Sequence, residues 1–365
     1  MKLIIIGAGP IGCYVAQLLK NSNKAPNITI IEEHAEIGRP VHCAGLVSPD
    51  VFSEVKVSLD DEVVINHIDG AEIFLNHDSF KINRKNVAVV IDRERFDRAL
   101  GKGLNIHFNT RFVGIEREAG AYLVETDKGE YYADIVIGAD GANSALRKIA
   151  GFEENIPSLR GVQFRMRYDK CHKNLVQVYL KNPSFAWIIP ESEDLVRVGV
   201  ISDNPYHDLK EFLEEKSIKG EILEKFAGAV PLGRCPAHKQ NIFLVGDAAC
   251  QVKPLTHGGI YYGMRCAEIL VDCILRDRPQ DYETEWRQRF EREINIGLRL
   301  RRMYERLRED ETEKLFAVLK NNAGTLEKFG DFENHSKVIS MIIKEPQLQI
   351  LLGKVFINIV KDCFL

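Results

Sequence analysis

The chain opens on an unbroken apolar run, Leu3-Ile4-Ile5-Ile6, followed at once by the turn Gly7-Ala8-Gly9-Pro10-Ile11-Gly12. A short apolar run that stops at a turn is the pattern of a strand covered on both faces. The pattern predicts a strand over 3–6, a helix over 11–20 and a second strand over 28–32, a βαβ opening. Between 105 and 137 it predicts three short strands, with the turns Glu118-Ala119-Gly120 and Asp127-Lys128-Gly129 between them. From 162 to 202 come strands rich in β-branched and aromatic residues, broken at Asn182-Pro183 and Pro190, which predict a separate antiparallel sheet. A strand over 242–245 and a helix over 259–275 return to the style of the opening. Beyond Pro279 the pattern is helical and ends in an apolar stretch over 348–365, interrupted by Lys354, Asn358, Lys361 and Asp362.

No repeat or low-complexity linker separates these parts, so they must interleave. The expected division is a discontinuous dinucleotide-binding domain of 1–150 and 236–280, which takes in a substrate-facing segment at 50–90. An antiparallel-sheet substrate domain follows over 151–235, and a helical region over 281–365.

Composition narrows the function. With 365 residues, 45% of them apolar, a large core is available. A net charge of -4 argues against a protein that works by neutralising phosphates, so nucleic acid is not an expected partner. Between Asp281 and Asp310 eight arginines are balanced by eight acids, several at helical spacing, and the run reads as a solvated helix face. The eight cysteines show no C-x-x-C and no metal-ligand spacing, so neither disulfides nor zinc are expected. There is no signal-peptide pattern and no apolar run of the ~20 residues that cross a bilayer. A cytoplasmic protein is expected, with peripheral membrane contact left open and the C-terminal helices as its candidate surface.

The glycine turn carries the first chemistry. Gly7 makes the tight turn, Gly9 lets the backbone approach a diphosphate, and Gly12 lets helix and strand pack closely. The helix N-terminus adds unpaired N–H groups and partial positive charge. Glu32, twenty residues past Gly12, stands where it can accept hydrogen bonds from a ribose diol. An acid there would repel a 2′-phosphate, which leaves FAD or NAD rather than NADP.

Far downstream, Asn241-Ile242-Phe243-Leu244-Val245-Gly246-Asp247-Ala248-Ala249 resembles the second FAD signature of the glutathione-reductase-like flavoproteins. The resemblance implies a Rossmann-type FAD-binding α/β fold, with Asp247 on the ribityl chain. The helix that starts at Gly258-Gly259-Ile260 would then face the flavin pyrimidine, where its N-terminal N–H groups stabilise negative charge. It also places Arg93, of Asp92-Arg93, near the flavin or its diphosphate, and adds Ile11, Ala44 and Val113 to the cofactor-binding residues. Asp140, in Gly138-Ala139-Asp140-Gly141, reads equally as a member of this set or as a structural turn residue.

Only one G-x-G-x-x-G is present, so there is no dedicated nicotinamide domain. Three further segments resemble the geranylgeranyl reductase family, which includes the archaeal digeranylgeranylglycerophospholipid reductases: Gly38-Arg39-Pro40-Val41-His42-Cys43-Ala44-Gly45, Phe185-Ala186-Trp187-Ile188-Ile189-Pro190, and Lys253-Pro254-Leu255-Thr256-His257-Gly258-Gly259-Ile260-Tyr261-Tyr262. The likeness extends over nearly the whole chain. It departs from the family pattern at Phe185, Ile189 and His257, where tyrosine, phenylalanine and glycine are usual.

The resemblance implies hydrogenation of isoprenoid double bonds of membrane lipid precursors by reduced FAD, with ferredoxin or reduced nicotinamide as electron donor. Phe185, Trp187, Ile189 and Tyr261 would line an apolar substrate tunnel. Cys43, beside the flavin, would be the proton source, with His257 its competitor. Two alternatives stay open: a flavin monooxygenase of the aromatic hydroxylase type, and a non-catalytic prenyl-binding escort protein.

Overall fold

The computed structural model describes residues 1–344 except 55, 57–60, 154 and 343. The apolar stretch over 348–365, the candidate membrane-docking segment, lies outside the described residues. The chain divides into two compact units. The first combines 1–63, 91–159 and 229–294; the second combines 64–90, 160–228 and 295 onward. The segment 64–90 thus belongs with the second unit, and the C-terminal helical region is shared between the two.

The first unit is built on a six-stranded sheet in the order His238–Lys239, Ile242–Leu244, Ile135–Gly138, Lys2–Ile6, Asn27–Ile31, Ile106–His107. All its pairings are parallel except the first, at the edge. Leu3, Ile4, Ile5 and Ile6 are at most 4% exposed, as an unbroken apolar strand in a doubly covered sheet requires. Helix Pro10–Lys20 packs against helix Ile260–Leu275 and helix Arg93–Gly101. Cys13 and Cys266 are fully buried and serve as small apolar filler. The three-stranded meander runs Phe112–Glu118, Ala121–Thr126, Gly129–Ala133, with both predicted turns in place.

In the second unit the strands Ile222–Pro231, Ser158–Arg167, Leu195–Ser202, Ser184–Pro190, Val176–Lys181, Val64–Leu75 and Asp78–Ile91 lie side by side in that order. The central pairings are antiparallel, as expected, but Val176–Lys181 runs parallel to Val64–Leu75, so the sheet is mixed. Sequence alternation cannot reveal this, because a strand's two faces look the same whichever way its neighbour runs.

One face, through Phe164, Met166, Ala186, Ile188, Val196, Val198 and Val200, packs on Leu209 and Phe212 of helix Pro205–Glu215. On the other face Leu75 and Phe80 pack on Phe316 of helix Glu309–Asn321, with the rings of Phe80 and Phe316 5.2 Å apart. Among the described residues no helix is long and apolar enough to cross a membrane.

Candidate cofactor and active site

Parallel sheets present ligand sites beyond the carboxyl ends of their strands. Three such ends in the first unit carry the predicted cofactor residues. At the end of Lys2–Ile6, Gly7 has φ +100° and its N–H bonds the Ile31 carbonyl at 2.9 Å. A Cβ on Gly12 would lie 2.0 Å from the Gly7 carbonyl oxygen, so helix and turn meet in van der Waals contact only because no side chain intervenes. A Cβ on Gly9, the N-cap of the helix, would meet nothing within 4 Å. One glycine is thus demanded by the fold, while the other faces open space at a helix N-terminus. Ile11 packs beneath the second glycine turn, 3.1 Å from the Cβ position of Gly246.

Glu32 follows Asn27–Ile31 and is 9% exposed. Its Oε2 accepts the Ala8 N–H at 2.7 Å, and its Oε1 accepts from the His34 backbone N–H at 2.9 Å and contacts His34 Nδ1 at 2.6 Å. A carboxylate offers about four lone-pair sites, so one on Oε2 remains for a ligand hydroxyl. His34, which sequence reasoning passed over, thereby fixes the acid's direction. Val113 stands at a bulge between Phe112 and Gly114 in the meander and is 45% exposed.

Beyond Ile242–Leu244, Gly246 turns with φ +68° into the short helix Gly246–Ala249. Its N–H is accepted by Gln251 Oε1 at 2.8 Å. Gln251 donates in turn to the Tyr282 hydroxyl at 2.9 Å, which donates to the Leu244 carbonyl at 3.0 Å. This fully buried relay locks the turn that presents Asp247. Among the described residues the Asp247 carboxylate has no hydrogen-bond donor. Burial raises its pKa to about 6, against the opposing pull of Arg93 and Arg147. A Cβ on Gly259 would lie 2.4 Å from Asp247 Oδ1, so the acid sits directly against the start of helix Ile260–Leu275. Gly258, Gly259 and Ile260 form that helix start. His257, just before them, has φ +61°, a left-handed conformation that explains why glycine suits the position.

The loop over 38–45 is fastened to the segment around Arg93. Gly38 packs on Glu94, Arg39 Nε donates to Glu94 at 2.8 Å, and the Ile91 N–H bonds the Gly45 carbonyl at 2.8 Å. Cys43 Sγ accepts the Gly45 N–H at 3.3 Å, and the sulfur lies near enough to the Arg93 guanidinium to act on it electrostatically. Arg93 Nη2 is held 2.9 Å from Asp97 Oδ2, one turn along its own helix. Burial opposes charge on both partners. On Arg93 the Asp97 carboxylate and Cys43 outweigh that effect and raise its pKa further; on Asp97 burial dominates and pushes the carboxyl up. Cys43, Arg93, Asp97 and Asp247 therefore share one electrostatic neighbourhood, and Ala44 follows Cys43 in the same loop.

Sequence reasoning missed Asp97, although Arg93-x-x-x-Asp97 is readable as an i,i+4 pair. It also missed Arg147, which is 2% exposed and donates to the carbonyls of Ala248 at 2.9 Å and Ala142 at 2.7 Å. No local pattern marks that residue. Asp140 accepts from the Ser144 hydroxyl at 2.6 Å and the Leu146 N–H at 3.0 Å, so its carboxylate is engaged in its own turn.

Of the four residues expected against substrate, Phe185, Trp187 and Ile189 belong to the second unit. They alternate with Ala186 and Ile188, so they share the sheet face opposite helix Pro205–Glu215. The Trp187 indole covers Gly199, whose Cβ would fall 2.3 Å from the ring, and donates to Gln163 Oε1 at 3.2 Å. The Phe185 ring lies 5.7 Å from it, and Ile189 is buried. Tyr261 belongs to the first unit, where its hydroxyl donates to Glu54 Oε2 at 2.7 Å.

The residues present fit a flavin dinucleotide: an open glycine cradle at a helix N-terminus, an oriented acid at the next strand, and a half-buried carboxylate that no donor among the described residues engages. The fold is that of the Rossmann-type FAD-binding flavoproteins. A geranylgeranyl bacteriochlorophyll reductase-like protein of Thermoplasma acidophilum superposes with a TM-score of 0.83 at 22% identity, over 97% of this chain and 98% of that one. The chain belongs to the lycopene cyclase protein family, whose model matches residues 2–321. It is 32% identical to an uncharacterized protein of Methanocaldococcus jannaschii over 94% of both chains. It is 28% identical to the digeranylgeranylglycerophospholipid reductase of Methanosarcina acetivorans over 87% of this chain and 88% of that one.

Proposed function

We propose that the chain binds FAD and hydrogenates isoprenoid double bonds of membrane lipid precursors. The observation that carries the reading is the placement of Cys43. A thiol bonded by the Gly45 N–H lies beside the Arg93 guanidinium, which also acts on Asp247, the acid assigned to the ribityl chain. Gly7, Gly9 and Ile11 hold the diphosphate, Glu32 the ribose, and Asp247 a ribityl hydroxyl. When bound and reduced, the flavin supplies a hydride from N5. An isolated alkene also needs a proton on its other carbon, and Cys43 delivers it. The Gly45 N–H fixes the thiol beside the Arg93–Asp97 pair, and the half-buried Phe185 and Trp187, backed by the buried Ile189, are the apolar side chains assigned to the chain being reduced. The reductase named among the relatives supports this substrate class.

The test is anaerobic incubation of the FAD-loaded protein, reduced with dithionite, with a geranylgeranyl lipid. Mass is expected to rise in steps of two hydrogens. An unchanged mass with an altered isomer would point to cyclisation, and oxygen incorporation into an aromatic compound under air with NADH would point to a monooxygenase. Cys43→Ser should keep FAD and slow single-turnover reduction by about tenfold or more, roughly 1.4 kcal/mol in barrier. His257→Gly should change little; the reverse outcome assigns the proton to His257.

A further inference from the structure

The helix Tyr282–Glu305 carries balanced charge in sequence, yet folding sorts that charge by face. Its buried side holds Trp286, Phe290, Ile294 and Leu298. Four of its five acids are engaged with particular arginines: Glu283 and Glu291 with Arg287, Glu285 with Arg276, and Glu305 with Arg301. Four other arginines, Arg289, Arg292, Arg299 and Arg302, are exposed, as is Arg306 in the turn that follows. Among the described residues none of these five has a carboxylate within ion-pair distance. At ~100° per residue the four on the helix fall within an arc of about 140°, opposite the buried side, along roughly 20 Å of axis. Ile296 and Met303, half-buried, lie beside them on the same side.

We propose that this helix face docks the protein on an anionic phospholipid surface. A straight row of unneutralised guanidinium groups matches a flat array of phosphates, to which arginine makes bidentate hydrogen bonds. The half-buried Ile296 and Met303 provide the shallow apolar contact that interfacial helices use. The assignment narrows the membrane contact expected of the C-terminal helices to one helix whose charge run reads in sequence as merely solvated. It also stands apart from the reductase reading, since it requires neither flavin nor alkene.

The test is co-sedimentation of the full FAD-loaded protein with vesicles of phosphatidylcholine alone or containing about one third phosphatidylglycerol. The parent should sediment with the anionic vesicles only and be released by roughly 0.5 M salt, where charge is screened within a few ångström. Changing Arg299, Arg302 and Arg306 together to Gln should weaken partitioning by at least tenfold. The change is at exposed positions, so the melting temperature and flavin content should hold. A second variant, Lys128→Gln with Lys148→Gln and Lys170→Gln, removes the same charge from other exposed sites and should partition like the parent. Failure of the parent to bind anionic vesicles overturns the proposal, as does equal loss in both variants, which would reduce the effect to net charge. Salt-sensitive binding to an acidic ferredoxin without vesicle binding would assign the face to a protein partner instead.

Discussion

Two strand ends of one sheet each carry an acid that the proposed function gives to the same dinucleotide, and they hold it in opposite ways. Glu32 is satisfied before any ligand arrives: three donors from Ala8 and His34 fix both oxygens. Asp247 is equally well placed by a rigid turn, but its half-buried carboxylate has no donor among the described residues, and desolvation raises its pKa to about 6. The first acid is part of the scaffold that shapes the cradle. The second holds in reserve an acceptor that no donor among the described residues fills, which leaves it for a ligand hydroxyl.

The largest expected effect separates scaffold from cradle at the glycine turn beside Glu32. Gly12→Ala drives a Cβ to 2.0 Å from a backbone oxygen that cannot give way, so roughly 3 kcal/mol or more of stability should be lost, seen as a lower melting temperature with or without FAD. Gly9→Ala meets only open space and has an ordinary extended backbone, so the apoprotein should melt like the parent while FAD affinity falls. A stable Gly9→Ala protein that keeps full FAD affinity would remove the diphosphate from this turn.

Asp247 tests the reserved acceptor. Asp247→Ala should weaken FAD by the worth of a charge-assisted hydrogen bond, roughly 1.5–3 kcal/mol, measured by titration of the apoprotein. Asp247→Asn should show the pH signature. The folded pKa of about 6 lies above the unfolded value near 3.9, so this group's contribution to apoprotein stability is fully present below about 4 and lost as pH rises through 6. The Asn variant should therefore melt above the parent at pH 7.5 and converge with it near pH 4. In the parent, FAD affinity should rise as pH passes 6, because the ionised form is the better acceptor; in Asp247→Asn it should not. A parent whose affinity is flat across that range has a partner for Asp247 already.

Glu32→Gln should do least. Only one of the two oxygen positions stays an acceptor; with the amide oxygen kept toward His34, the Ala8 N–H faces the amide NH2 and loses its partner, and a loss of about 1 kcal/mol with a few-fold drop in FAD affinity is expected. A drop as large as that at Asp247 would mean that Glu32, too, is held in reserve for the ligand.

The sequence by itself determined what depends on neighbours along the chain. The strand, turn and helix at 2–20, the acid at 32, the meander turns, and the strand that delivers Gly246-Asp247 follow from apolar period and from positions where only glycine fits. The segments around Cys43, Trp187 and His257 were legible too, because motif spacing survives without a structure. Tertiary structure alone decided where those pieces meet. The i,i+4 spacing of Arg93 and Asp97 hints at their pairing, but only the folded loop over 38–45 brings Cys43 to that guanidinium. Arg147 reaches Ala248 across a hundred residues. The parallel pairing of Val176–Lys181 with Val64–Leu75 leaves no trace in alternation. The arginines of helix Tyr282–Glu305 look neutralised in composition, and only burial of one side leaves the others exposed in a row. The physical reason is common to all four: local sequence sets φ, ψ and period, whereas the partners of a buried charge and the face of a helix that meets water are set by what the rest of the chain packs against.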